Sequence, residues 1–236
     1  MIHDLTIIIL CGGMGTRLRP RTECIPKTLV PLCGKPMLEH ILDAYLAKGF
    51  SRFVLCVGYL GHKISEFLEQ RRFDADIRIS DLGEQAGMLA RIHAAMAHAG
   101  PRALVTYGDT LIDTDLQAML AAHQARQAAL TLTTASIKSP FGLIGMAGDH
   151  QVLSFEEKPT QTFYIGQMLV EGQALAEVPE GFLRMHDGDG LILFFRSLID
   201  QGRVIAFPYA GPQITFNTEQ ELKKAERDII TFYTQA

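Results

Sequence analysis

Along the first half of the chain, short unbroken apolar runs alternate with stretches whose apolar residues recur every three or four positions. Thr6-Ile7-Ile8-Ile9-Leu10 is a β-branched run closed by Gly12-Gly13, the pattern of a strand buried on both faces. Met37, Ile41, Leu42, Tyr45 and Leu46 share one helical face, and Gly49 supplies a stop. Residues 52–57 repeat the buried-strand pattern, and Ile64, Phe67 and Leu68 mark a second helix. A third strand over 103–107 precedes a helix carrying Leu116, Met119, Leu120 and His123. This alternation predicts a Rossmann-like α/β fold, with a mostly parallel sheet covered by helices on both faces.

After about residue 128 the pattern changes. Segments 130–137, 142–146, 152–155 and 164–170 read as strands with few helical patterns between them, which predicts an added antiparallel portion. Thr218-Glu219-Gln220-Glu221 has the form of a capping box, and Leu222, Ala225, Ile229 and Phe232 continue it as an amphipathic helix. No repeat, low-complexity tract or Pro/Ser-rich linker divides the chain, so 1–236 reads as a single domain.

Composition narrows the function. Lys and Arg total 22 against 26 Asp and Glu, a net charge of -4, which disfavours nucleic acid as a partner because phosphate contacts need clustered positive charge. The four cysteines show no C-x-x-C pair and no zinc-ligand spacing, as expected of a reduced cytoplasmic protein. The apolar run near the N-terminus has no basic flank and meets glycines at once, so neither a signal peptide nor a membrane span is expected. The eight histidines form no ligand cluster, and His93 and His98, five apart on a helix, do not share a face. A homo-oligomer is compatible with the sequence.

The chemistry concentrates in Leu10-Cys11-Gly12-Gly13-Met14-Gly15-Thr16-Arg17-Leu18. Three glycines after a buried strand let the backbone approach a ligand and turn N–H groups toward phosphate oxygens. Arg17 adds a fork-shaped cation, and Lys27 and Lys35 follow. Gly34-Lys35 is followed by Pro36, which excludes a P-loop, and Leu18 breaks the last position of a dinucleotide fingerprint. A bare glycine turn with nothing bound is the plain alternative. Asp109 ends a predicted buried strand after Gly108, where doubly wound sheets gather ligands. A carboxylate there suits Mg²⁺, or else caps a turn before Thr110. Asp113 and Asp115 read as turn and N-cap residues.

Three blocks together, Gly12-Gly13-x-Gly15-Thr16-Arg17-Leu18, Pro26-Lys27 and Lys35-Pro36-Met37, resemble the signature of the sugar-1-phosphate nucleotidyltransferases. Tyr107-Gly108-Asp109, Phe141-Gly142 and Phe155-Glu156-Glu157-Lys158-Pro159 extend the resemblance, which is nearest the glucose-1-phosphate cytidylyltransferase branch. It implies a nucleotide-diphospho-sugar transferase fold, with an NTP-binding half over about 1–128 and an acceptor-binding half with the C-terminal helix over about 129–236. It also implies a transferase of nucleotide-sugar biosynthesis, making building blocks for cell-surface polysaccharide. Such an enzyme joins an NTP, CTP first, to a sugar 1-phosphate with Mg²⁺ and releases pyrophosphate.

The resemblance puts Leu10, Gly12, Gly13, Gly15, Thr16, Arg17 and Gly108 around the nucleotide, with Arg17 facing pyrophosphate and Lys27 beside the α-phosphate. Arg17, Lys27 and Asp109 are the expected catalytic residues. Gln85 by its side chain and Gly87 by its backbone hold the base, or both are loop chemistry. Gly142, Glu157, Lys158 and Gly166 are the expected acceptor residues, the Glu157–Lys158 pair being an exposed ion pair in the plainer reading.

Two departures stand out. Relatives carry a metal-binding aspartate before the last helix, whereas here Thr215 or Asn217 replaces it. Asparagine oxygen can ligate Mg²⁺ beside Asp109, without charge. At Tyr164-Ile165-Gly166-Gln167, Ile165 stands where relatives have a polar partner for a sugar hydroxyl. These departures leave a non-sugar phosphate or phosphonate acceptor, or a catalytically impaired nucleotide-sugar-binding or regulatory protein, as alternatives. A dinucleotide-dependent oxidoreductase is the third, against which Leu18 counts.

Overall fold

The computed structural model describes residues 2–235. In chain order the first half contains β1 (Thr6–Leu10), a short hairpin of β2 (Pro31–Leu32) and β3 (Lys35–Pro36), α1 (Met37–Ala47), β4 (Arg52–Val57), α2 (Gly61–Gln70), β5 (Asp76–Asp81), α3 (Met88–Ala95) and β6 (Arg102–Tyr107). There follow β7 (Thr110–Ile112), α4 (Leu116–Ala125), β8 (Leu130–Lys138), β9 (Leu143–Met146), β10 (Val152–Glu156) and β11 (Thr160–Glu171). The chain closes with α5 (Gly172–Ala176), α6 (Glu180–Leu183), α7 (Asp189–Asp200), β12 (Val204–Pro208), β13 (Gln213–Thr215) and α8 (Glu219–Gln235).

Seven strands form one sheet in the order β12-β8-β11-β6-β1-β4-β5. β6, β1, β4 and β5 run parallel, and β12 is parallel to β8, while β11 is antiparallel to both β6 and β8. The sheet is therefore mostly parallel, and β11 is the strand that reverses direction within it. The rest of the expected antiparallel portion is the separate two-stranded sheet of β9 and β10. β12 was not anticipated. Val204 to Phe207 is an unbroken apolar run on a short, partly buried strand at the sheet edge, a signal present in the sequence and left unread. β5 was not anticipated either, and its polar Asp-Ile-Arg-Ile-Ser-Asp lies at the opposite edge without such a run.

Alternate residues of β1 explain the two-sided core. Ile7 and Ile9 pack under α1, α2, α4 and α8, whereas Ile8 packs with Val54 and Val105 under α3, α5 and α7. Each helix supplies the stripe that its spacing requires: Ile41, Leu42 and Tyr45 from α1, and Leu191, Phe194 and Leu198 from α7. The last helix begins as expected, with Thr218 Oγ1 accepting the Glu221 N–H at 3.2 Å. The Glu221 carboxylate accepts the N–H of Asn217, one residue earlier than a standard capping box. No helix among the described residues is long and apolar enough to cross a membrane.

Phe53, on β4 beside the edge strand β5, is 1% exposed. Phe53→Ala is expected to lower unfolding free energy by about 3–5 kcal/mol, and Ile199→Ala, on the exposed side of α7, by less than about 1 kcal/mol. Urea denaturation of both variants measures the difference.

Candidate active site

β1 and β6 are neighbours, but the chain leaves β1 toward β4 and leaves β6 toward the other side of the sheet. Loops diverging from adjacent strand ends open a crevice, the usual ligand position in a doubly wound sheet. A cavity of about 650 Å³ occupies it. Leu10, Gly12, Gly13, Gly15, Thr16 and Arg17 line one wall, and Lys27, Gln85 and Asp109 line others. Nine of the expected nucleotide and catalytic residues thus converge on one space.

The glycines serve different ends. Gly15 has φ +60°, and a Cβ there would stand 3.1 Å from Lys27 Cβ, so its bareness brings the loop against the lysine. Thr22 Oγ1 secures that turn by donating to the Gly15 carbonyl at 2.8 Å. A Cβ on Gly13 would meet no protein atom within 4 Å, leaving that backbone open to the cavity. Gly108 donates its N–H to Leu10 O at 3.0 Å, and a Cβ would come 2.8 Å from that oxygen. Gly108 therefore sets the spacing of the β1 and β6 loops, and it is not part of the cavity lining. Gly87 is likewise outside the lining, because a Cβ there would fall 2.1 Å from the Met185 carbonyl. Its lack of a side chain admits the 185–187 segment, whose Asp187 O accepts the Met88 N–H at 2.8 Å.

At the charged end, Lys27 Nζ donates to Asp109 Oδ2 and, at 3.0 Å, to Asn217 Oδ1. Arg17 Nη2 donates to the same Asn217 oxygen at 2.7 Å. The two alternatives for the missing acid therefore separate: Asn217 stands opposite Asp109, while Thr215 lies on β13 with its hydroxyl 3.5 Å from that of Thr110. Among the described residues no group of three or more His, Cys, Asp or Glu could hold a metal. The donor set nonetheless suits Mg²⁺, since the Asp109 carboxylate and the Asn217 amide oxygen converge on one cationic position beside the cavity. Mg²⁺ binds through one or two carboxylates and completes its shell with substrate phosphates and water. Lys35 is turned elsewhere, paired with Asp43. Asp113 pairs with Lys48, and Asp115 caps α4 by accepting the Ala118 N–H at 3.0 Å. Burial raises the Cys11 thiol far above its ordinary range, which removes it as a nucleophile.

The acceptor residues are dispersed. Gly166 has φ +83° at an irregularity in β11 and stands against Tyr107, which lines the cavity. Gly142, Glu157 and Lys158 lie outside the lining, on an exposed ribbon, with Glu157 Oε1 and Lys158 Nζ 3.8 Å apart. Ile165 is buried, 6% exposed, so it belongs to the core.

Arg91 is the main residue that the sequence reading missed. It is 4% exposed, and it donates to the carbonyls of Ala86 at 3.1 Å, Gly83 at 2.6 Å and Val57. Cβ atoms on Gly12 or Gly58 would collide with its guanidinium at 2.7 and 2.6 Å. Arg91 therefore joins the 83–86 loop, the end of β4 and the glycine loop. Its signal was a charged residue on the apolar face of α3, at the spacing of Met88, Ile92 and Ala95. His186 and Asp187 also line the cavity, His186 Nδ1 lying 3.2 Å from Gln85 O. No local pattern marks them, because that contact spans a hundred residues.

Residues 6–173 match the nucleotidyl transferase family. The chain belongs to this family. It is 28% identical over 231 residues to glucose-1-phosphate cytidylyltransferase of Salmonella typhimurium, covering 86% of this chain and 88% of the relative. It is also 28% identical over 218 residues to UTP–glucose-1-phosphate uridylyltransferase of Synechocystis, covering 83% of this chain and 55% of that one. The fold matches the crystal structure of HddC from Yersinia pseudotuberculosis complexed with GMP-PN, with a TM-score of 0.71, 19% identity and coverage of 95% and 99%. These matches are consistent with the sugar-1-phosphate nucleotidyltransferases, whose substrates are a nucleotide and a sugar phosphate.

Arg91→Met strands several buried carbonyls at about 1–3 kcal/mol each. It is expected to cost at least about 2 kcal/mol of stability and to accelerate amide exchange across 83–87. Hydrogen-exchange mass spectrometry reads the second effect, and unchanged exchange there would mean that the loop holds itself.

Proposed function

We propose that this protein is a Mg²⁺-dependent nucleotidyltransferase that condenses an NTP, CTP first, with a sugar 1-phosphate. An acceptor phosphate oxygen forms a bond to the α-phosphorus, the α–β anhydride bond breaks, and pyrophosphate leaves with its electron pair. The observation that carries this reading is the Lys27 ammonium, shared between Asp109 and Asn217 beside Arg17 at the end of a glycine-lined cavity. Two anions must be brought together in this reaction, and fixed cations act by alignment and by neutralising charge on the reacting oxygens.

Lys27 stands between the α-phosphate and the acceptor phosphate, and Arg17 takes the departing pyrophosphate. Gly12, Gly13, Gly15 and Thr16 cradle the triphosphate. Gln85 holds the base, and Glu157 and Lys158 receive the acceptor. Asp109 and Asn217 hold the cation, which supplies further neutralisation of phosphate charge when bound. With one carboxylate, this pair should bind Mg²⁺ weakly until nucleotide oxygens join it. The preference for CTP is supported by likeness to the Salmonella cytidylyltransferase. Uridylyl relatives at equal identity make the base a matter for experiment. Asn217 in place of an acid favours a second reading, a nucleotide-binding protein with impaired turnover.

Pyrophosphate release with Mg²⁺ tests both, using CTP, UTP, dTTP, GTP and ATP against sugar 1-phosphates and phosphonates. The expected result is release requiring one nucleotide and one acceptor class, lowered by orders of magnitude in Lys27→Ala and Asp109→Ala with the fold unchanged. Silence in the parent with tight NTP binding, and turnover regained in Asn217→Asp, would select the impaired reading.

A further inference from the structure

The antiparallel ladder between β6 and β11 ends where Thr106 pairs Gln167. The next residue on β6, Tyr107, lines the cavity from the β11 side. The next on β11, Gly166, lies at the strand's irregularity with φ +83°. A Cβ on Gly166 would stand 3.1 Å from the Tyr107 ring, so the bare backbone is the seat of the phenol.

Around this seat β11 offers no other polar side chain to the cavity. Ile165 is apolar and buried. Gln167 is 1% exposed, and its amide is engaged in the core. The Gln167 oxygen accepts the Thr133 hydroxyl at 2.9 Å, and its nitrogen donates to Tyr45 Oη at 3.0 Å. Tyr164 stands edge-on to Tyr107, with ring centroids 6.0 Å apart at 86°. Its hydroxyl is buried and short of hydrogen-bond geometry with any partner, though the two phenols lie near enough to affect each other's ionisation. Burial raises the pKa of both phenols, so each keeps its proton near neutral pH. A neutral phenol can donate and accept at once, and of these groups the Tyr107 phenol is the one that reaches the cavity lining.

We propose that the Tyr107 hydroxyl reads a ring hydroxyl of the acceptor and so sets which sugar 1-phosphate the site takes. The inference rests on the sugar 1-phosphate reading made above. Lys27, which meets the acceptor phosphate in that reading, pairs with Asp109, two residues beyond Tyr107. An acceptor held there by its phosphate turns its ring toward the β11 wall, where the phenol stands. A polar group at a fixed place discriminates more sharply than an apolar one, because an analogue lacking the matching hydroxyl leaves the protein group unpaired. Tyr107 thus takes the part that Ile165, sunk in the core, cannot play.

The test is titration calorimetry with Mg²⁺ and the α,β-methylene analogue of the tightest-binding NTP, which holds the complex short of turnover. The probes are glucose, galactose and mannose 1-phosphates, followed by the monodeoxy forms of whichever binds tightest. The parent is expected to bind one deoxy form about tenfold more weakly than the full sugar. Tyr107→Phe keeps the ring against Gly166 and Tyr164. It is expected to bind the full sugar about tenfold more weakly as well, with no further loss for that deoxy form. Its nucleotide affinity and circular dichroism are expected to match the parent's. The same deoxy penalty in both proteins would overturn the proposal, and so would a parent that binds none of the sugar 1-phosphates. Weakened nucleotide binding in the variant would also overturn it, by placing the phenol on the ribose. Pyrophosphate release, measured separately on the parent, keeps this result distinct from the catalytic reading. A Tyr107-dependent preference without release upholds the inference and removes turnover, whereas release with a preference indifferent to Tyr107 does the reverse.

Discussion

The Lys27 ammonium lies between an aspartate from the end of β6 and an asparagine from the approach to α8. Three segments far apart in the chain meet there, and each is placed by the sheet. Gly108 brings the β6 loop against Leu10, Gly15 brings the glycine loop against Lys27, and Phe216 is buried 5.7 Å from the ammonium. A half-buried ammonium needs anionic or dipolar partners, and Asp109 and Asn217 provide them. In the proposed reaction nucleotide phosphates would take over that role, and the same charge would then serve both folding and chemistry.

Arg91 imposes the matching constraint on the other side of the cavity. A buried guanidinium is stable only when its donors are used. The carbonyls that use them belong to the loops that must stay in register. Burial draws its pKa down, with Cys56 and Asp81 opposing, but a guanidinium keeps its charge in proteins. Gly12 and Gly58 are bare where the guanidinium passes, so part of the glycine-rich character of the loop answers an internal cation and not a ligand. This distinction is invisible in a motif.

The central strands were legible because burial on both faces produces unbroken apolar runs, as in Thr6 to Leu10 and Arg52 to Val57. The glycine loop and Asp109 were legible because strand ends and loop chemistry coincide there, and Lys27 was legible through the Pro26-Lys27 block of the family resemblance. What escaped has more than one cause. β5 sits at a sheet edge, where its half-polar sequence loses the strand signature, whereas the apolar Val204 to Phe207 of β12 was there to be read. α7 does carry Leu191, Phe194 and Leu198 at helical spacing, so its omission was an unread signal. Arg91, His186 and Asp187 enter the cavity through contacts that no local pattern encodes. Gly87 and Gly108 sat in the right motifs, but tight backbone packing explains their bareness.

The proposed reaction turns on attack at the α-phosphorus. The most direct test is ³¹P NMR of the protein with Mg²⁺, the selected NTP and an acceptor phosphate labelled with ¹⁸O. The expected spectrum gains a coupled pair of diphosphate resonances and the pyrophosphate singlet, with the ¹⁸O isotope shift on the new anhydride and none on pyrophosphate. Appearance of a nucleoside diphosphate, or of inorganic phosphate without the diphosphate pair, would place the reaction at another phosphorus and contradict the assignment of Lys27 and Arg17.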